Sequence, residues 1–175
     1  MKFKQVSIVS KFYGERVVEQ AKKNLDKKGF DGQPKGRSKS NTGRLKESLG
    51  YEIKTTSNGF VIEFISSANY AAIVEEGRDK GAKMPPSGAI DRWAIQRNIR
   101  GTRGKDGRFE KRKSIVFAIR RSIADNGIKP VRFFGLAMSK EFNKLVPELQ
   151  EALLKDLEQI VYDDFRKKGF KATIS

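Results

Sequence analysis

Hydrophobic positions recur along this chain with two different periods, and the switches between them mark out its elements. From about Ile8 to Lys28, Tyr13, Val17, Ala21 and Leu25 stand four apart, with Phe12 and Val18 widening the stripe and Lys11, Glu15, Glu19, Lys22 and Lys23 opposite. That period predicts an amphipathic helix, with Gly29 as its C-cap. Thr42 is placed to cap a short turn through Arg44–Leu49. The period then drops to two. Tyr51-Glu52-Ile53-Lys54 alternates, Ser57-Asn58-Gly59 supplies a turn, and Phe60, Ile62 and Phe64 fall on one face, which predicts a β-hairpin over about 51–65.

Beyond the hairpin the helical period returns. Residues 68–77 are apolar and end in Glu75-Glu76-Gly77, and Pro85-Pro86 interrupts what precedes it. Ser87 is expected to cap a helix through Ala89, Ile90, Trp93, Ala94 and Arg97, in which Trp93 is a core or interface anchor. Ser114 is expected to cap another, burying Ile115, Ala118, Ile119 and Ile123 and closed by Asn126-Gly127. Around Pro130 the chain reads as extended, with an edge strand near 129–134. From Leu136 to about Lys168 it is helical again, Pro147 either kinking the helix or opening a second one. Leu149, Leu153, Leu157, Ile160 and Val161 form its apolar stripe. The expected class is α+β: a small antiparallel sheet packed against several helices, one of them a long C-terminal helix. The expected organisation is a single domain over 1–175, with flexible basic loops at about 29–43 and 100–113 and a helical extension over about 137–168.

Charge changes this picture most. Lys and Arg total 37 against 21 Asp and Glu, a net +16, and such an excess attracts polyanions by counterion release or mates with an acidic neighbour. The cations concentrate in the two glycine-rich loops: Lys35, Arg37 and Lys39 in the first, and Arg100, Arg103, Lys105, Arg108, Lys111, Arg112 and Lys113 in the second. The second follows no strand and does not fit G-x-x-x-x-G-K-[ST], so it is not a phosphate-binding glycine loop. Acidic residues gather instead in the C-terminal helix. The chain has no cysteine and no histidine, which removes thiol nucleophiles, zinc–thiolate sites and the commonest general base. Glu75 and Glu76 are adjacent, and adjacent side chains point apart, so an ion pair with basic surroundings is the better reading than acid–base catalysis. No apolar run approaches the roughly 20 residues that span a bilayer, and Met1-Lys2-Phe3-Lys4 has no signal-peptide pattern.

Three segments, in order, resemble the tail-completion or neck proteins of tailed bacteriophages, the minor tail protein Z-like group. Its T-G-x-L-x-x-S-[IL] reads here as Thr42-Gly43-Arg44-Leu45-Lys46-Glu47-Ser48-Leu49. Its Y-A-x-x-V-E-x-G reads as Tyr70-Ala71-Ala72-Ile73-Val74-Glu75-Glu76-Gly77. Its G-x-x-P-x-x-[FP]-[FL]-x-x-A reads as Gly127-Ile128-Lys129-Pro130-Val131-Arg132-Phe133-Phe134-Gly135-Leu136-Ala137. The chain departs in having Arg78 where the group has threonine, and Phe133-Phe134 where it is proline-rich.

The resemblance, which spans about 8–145, implies an α+β virion subunit without catalytic residues or cofactor. It would be repeated as a ring between portal and tail in a head–tail connector through which DNA passes. The expected partners are further copies of itself, the adjacent connector, portal or tail proteins, and packaged DNA through its phosphates, with no membrane. The expected subunit contacts are Tyr70, Val74, Glu75, Trp93, Phe133 and Phe134, and the loop cations face DNA or neighbouring rings. Synthesis is expected in the bacterial cytoplasm and final residence in the virion. The alternative is a free-standing basic nucleic-acid-binding protein.

Overall fold

The computed structural model describes residues 3–26, 43–56, 59–99, 101, 107 and 111–170. Gly29, Lys35, Arg37, Lys39, Thr42, Ser57, Asn58, Arg100, Arg103, Lys105 and Arg108 lie outside the described residues. In chain order the elements are α1 (Lys4–Asp26), α2 (Arg44–Glu47), β1 (Leu49–Thr56), β2 (Gly59–Ser66), α3 (Ala71–Glu76), α4 (Ser87–Gln96), α5 (Arg112–Asn126) and α6 (Phe133–Lys167). They fall into two compact units. One comprises Met1–Asn24, Ser48–Ser66 and Phe133–Ser175; the other comprises Leu25–Glu47 and Ser67–Arg132.

The first unit is α1, the hairpin and α6. Strands β1 and β2 pair antiparallel with Tyr51 opposite Phe64 and Ile53 opposite Ile62, so large side chains meet across the ladder. The predicted hairpin is therefore present, and longer by a residue or two at each end. Aromatic rings join the three elements. Tyr13 meets Phe64 edge-on at 6.2 Å, Phe64 meets Phe134 at 5.5 Å, and Phe134 meets Phe133 at 5.0 Å. The expected stripe of α1 is buried at Tyr13, Val17, Val18, Ala21 and Leu25, whereas Phe12 is 56% exposed. Where α1 approaches the hairpin it carries Gly14, and a Cβ there would lie 2.4 Å from the Tyr51 ring. A mid-helix glycine costs roughly 1 kcal/mol against alanine, and here it admits the close packing.

Polar groups staple α1 to α6. The Asp156 carboxylate accepts the backbone N–H groups of Gln5 and Val6, both at 2.9 Å, and so caps a helix that has no acidic residue in its own first turn. Arg16 donates to both carboxylate oxygens of Glu148, at 3.1 and 2.7 Å, and its Nε lies 3.4 Å from the buried Glu141 carboxylate. Asn24 donates to the Phe133 carbonyl at 3.0 Å.

These staples set the rotation of α6. Ala137, Glu141, Leu145, Ala152 and Asp156 form its buried row, while Leu153, Leu157 and Val161 of the expected stripe are exposed. Residue 153 stands about 100° from residue 152 around the helix, so α6 docks beside its most apolar face rather than on it. The helix runs unbroken through Pro147. Pro147 and Asn143 are both exposed, so water can reach the Asn143 carbonyl that the missing N–H leaves unpaired.

The expected edge strand near 129–134 does not form. Phe133 and Phe134 open α6, and Ile128 makes only an isolated antiparallel bridge with Arg78. Gly77 and Gly127, at φ +81° and +72°, flank that bridge, Pro130 has no donor, and Arg132 sits at φ +52°. Such a backbone cannot continue a ladder.

The second unit contains α2 to α5. Ser87 is the first residue of α4, behind Pro86, and α5 begins at Arg112 behind Lys111; neither cap position makes a side-chain hydrogen bond. Both expected serine caps are thus displaced into the first turn. In α5 the buried residues are Val116 and Ala124, and Ala118 is exposed. Gly127 does close α5, its N–H donating to the Ile123 carbonyl. Among the described residues no helix is long and apolar enough to cross a membrane.

Candidate functional site

In the second unit, two sequence segments more than 50 residues apart meet. Val131 N–H donates to the Val74 carbonyl at 2.9 Å and Arg132 N–H to the Glu75 carbonyl at 3.0 Å; Arg78 and Ile128 exchange bonds of 2.8 and 2.9 Å. Residues 128–132 thereby take up carbonyls at the C-terminal end of α3, which would otherwise be orphaned. The approach is close. A Cβ on Gly77 would come within 2.4 Å of the Ile128 carbonyl oxygen, and one on Gly127 within 2.4 Å of the Arg78 carbonyl oxygen. With positive φ at both positions, only glycine fits without strain. The Tyr70–Gly77 and Gly127–Ala137 segments are thus one structural feature up to Arg132.

Of the expected contact residues, Tyr70 is exposed at this junction, and Val74 and Glu75 are half-buried in it. Trp93 stands on α4, 41% exposed, next to the buried Ala94, so it is available for contact rather than consumed by the core. Phe133 and Phe134 are buried inside the first unit and serve its aromatic core.

Of the second loop's cations, Lys111, Arg112 and Lys113 are described and exposed. Arg112 Nε pairs with Asp91 Oδ1 at 2.5 Å, tying the start of α5 to α4. On α5, Lys113, Phe117 and Arg121 follow at i, i+4 spacing and all three are exposed, so a half-exposed ring stands between two cations on one face.

Charge is distributed unevenly. Counting by sequence, the second unit holds 23 basic and 10 acidic residues, a net +13, and the first holds 14 and 11, a net +3.

The first unit presents a different surface, one that the sequence pattern alone marks as a packing stripe. On α6, Phe142, Val146, Leu153, Leu154, Leu157 and Val161 are all exposed, Phe142 to 55% and Leu154 to 61%. From Pro147 to Lys167 the helix carries six carboxylates against three cations. The signal that distinguishes this face is the position of Glu141, Glu148 and Asp156 along one side, since carboxylates with assigned partners mark the docked face.

Chemistry at enclosed sites is sparse. An open groove of about 420 Å³ lies between α1 and β1, lined by Glu15, Val18, Glu19, Lys22, Leu49 and Tyr51. Burial first, and then the Glu15 carboxylate, push the Tyr51 phenol above its ordinary value. Burial and then Glu141 do the same to Tyr13. Among the described residues, no group of three or more His, Cys, Asp or Glu side chains converges to hold a metal ion.

Residues 2–77 match the HK97-gp10-like family model, described as "Bacteriophage HK97-gp10, putative tail-component". The match takes in α1, α2, the hairpin and α3 and ends on Gly77, one of the two glycines of the junction. It covers less than half of the 175 residues. Neither a curated protein nor a solved structure matches the chain.

Proposed function

Proceeding from the tail-component pattern of residues 2–77, we propose that this chain is a structural subunit of a tailed phage, repeated as a ring at the head–tail junction. The match itself carries the reading. It is supported by the hydrogen-bonded junction, through which the matched segment is joined to residues 127–132 beyond it. The concentration of +13 in one unit suits a ring whose lumen passes DNA, because phosphate attraction needs charge density and not a base-reading element. Exposed Tyr70 and Trp93 supply aromatic anchors of the kind enriched in subunit interfaces. The role requires no catalytic residue and no cofactor.

In the phage that encodes this chain, disrupting it is expected to leave DNA-filled heads separate from tails, and antibody labelling should place it at the junction of intact particles. Complete particles assembled without it would refute the reading. The strong charge asymmetry also favours a second one, a free-standing nucleic-acid-binding protein. That reading requires an isolated subunit to bind duplex at micromolar or tighter affinity with a steep salt slope.

A further inference from the structure

From the two unlike surfaces described above, we infer that copies of this chain associate head to tail. The apolar ribbon of α6 on one copy docks on the α4–α5 face of the next. The inference rests on the ring reading and names its contact.

The α6 ribbon cannot be surplus core, because the helix already has a buried row on another side, fixed by the Arg16 and Asp156 staples. From Phe142 to Val161 the ribbon is about 30 Å long at 1.5 Å per residue. With a helix width of about 10 Å its footprint is roughly 300 Å², comparable to the largest apolar patch of a typical monomer, which is often functional. The helix is acidic around it, with six carboxylates to three cations from Pro147 to Lys167. Glu158 borders both Leu154 and Val161, while Glu151 and Asp164, at i−3 from Leu154 and i+3 from Val161, are paired with Lys155 at 2.6 Å and Lys168 at 2.8 Å.

The occupant must therefore offer apolar side chains among cations. The second unit of another copy does so, with Phe117 on α5 between Lys113 and Arg121, the latter also 3.4 Å from Asp125, and Trp93 beside Arg92 on α4. Pairing α6 with α6 of a second copy would instead bring acidic borders together, and like charges across an interface are disfavoured. Because donor and acceptor faces differ, the contact is heterologous, and repetition closes into a ring or runs on as a filament. Its carboxylate–cation border weakens with salt, while the apolar centre persists.

The chain contains no cysteine, so single cysteines report directly on this geometry. Leu157→Cys and Phe117→Cys, both at exposed positions, are mixed and treated with a short bis-maleimide, with Thr55→Cys on the hairpin as control partner. The expected product is a cross-linked dimer of the two unlike variants, at least tenfold above either like pair and above the Thr55 control. It should be reduced several-fold at high salt and abolished when Leu153→Asp and Leu154→Asp are added to the Leu157→Cys chain. A dominant Leu157–Leu157 product, or unlike pairs no more abundant than the control, overturns the inference. Placement in the particle is read separately by labelling, so a failed cross-link with a labelled junction removes this contact and leaves the ring reading intact. An unlabelled particle removes the ring reading itself.

Discussion

The unit built from α1, the hairpin and α6 comes close to balancing its charges, whereas the unit built from α2 to α5 carries a large cationic surplus. In the first, Arg16, Glu141, Glu148 and Asp156 are engaged with one another or with backbone amides, and the surplus is +3. In the second the surplus is +13, and Lys111 and Lys113 are exposed. A long apolar ribbon lies on the surface of the nearly neutral unit, while the basic unit exposes single apolar side chains such as Trp93 and Phe117 among its cations. The proposed ring, with further copies covering the ribbon and DNA inside, would use both surfaces at once.

If the staples organise the first unit, removing them is the largest perturbation available. Arg16→Ala strands the buried Glu141 with only Lys144 at 3.3 Å, and is expected to cost about 3 kcal/mol, less than a fully buried pair because Arg16 is about a third exposed. Urea unfolding measures this, and a loss below about 1 kcal/mol would show that the network is ornamental.

Asp156→Ala leaves two N-terminal amides of α1 without their acceptor and should cost about 2 kcal/mol, with Asp156→Asn recovering part of it. Gly14→Ala gains helix propensity but drives a methyl into the Tyr51 ring, for an expected net loss of about 1–2 kcal/mol. An increase in stability would mean that α1 and β1 are not closely packed.

The corresponding change in the second unit should leave stability nearly untouched and alter binding. Lys111→Ala with Lys113→Ala is expected to weaken duplex binding roughly tenfold and flatten the log–log salt slope by about 0.9 for each phosphate no longer neutralised. Glu151→Gln with Glu158→Gln on α6 should not weaken it. Equal losses from both pairs would erase the distinction between the units.

The smallest effect is a pH dependence. Tyr13 and Tyr51 titrate above the ordinary phenol value of 10.0 because they are buried near carboxylates, so the folded state holds these protons more tightly than the unfolded chain. The resulting stability is intact below about pH 10 and is lost as pH rises through the raised values. Tyr13→Phe should make the alkaline decline shallower.

Much of this was legible in the sequence. The period-four stripe of α1, the hairpin alternation, Gly127 closing α5 and the segregation of charge all follow from local pattern, and local pattern is what short elements obey. Three features were hidden for tertiary reasons. The stripe on α6 is the most apolar face of that helix, yet docking is decided by carboxylates whose partners lie more than 100 residues away in α1. The strand expected near 129–134 fails because its partner is a helix end and two glycines turn the chain away. The role of Gly14 shows only when Tyr51 is placed beside it; a glycine inside a strong helical stripe is the clue that something packs there. The proposed interaction surface was visible only in part, since Trp93 stands out by type, while the α6 ribbon is distinguished from core only by what α1 leaves uncovered.

The most direct test of the central claim is the native mass of the purified chain at about 100 µM, alone and with a short duplex, at low and moderate salt. The expected result is a closed oligomer of one size, a multiple of 19.8 kDa, that forms without DNA and survives moderate salt. A monomer at every concentration that binds the duplex tightly by itself would contradict it and establish the free-standing nucleic-acid-binding reading instead.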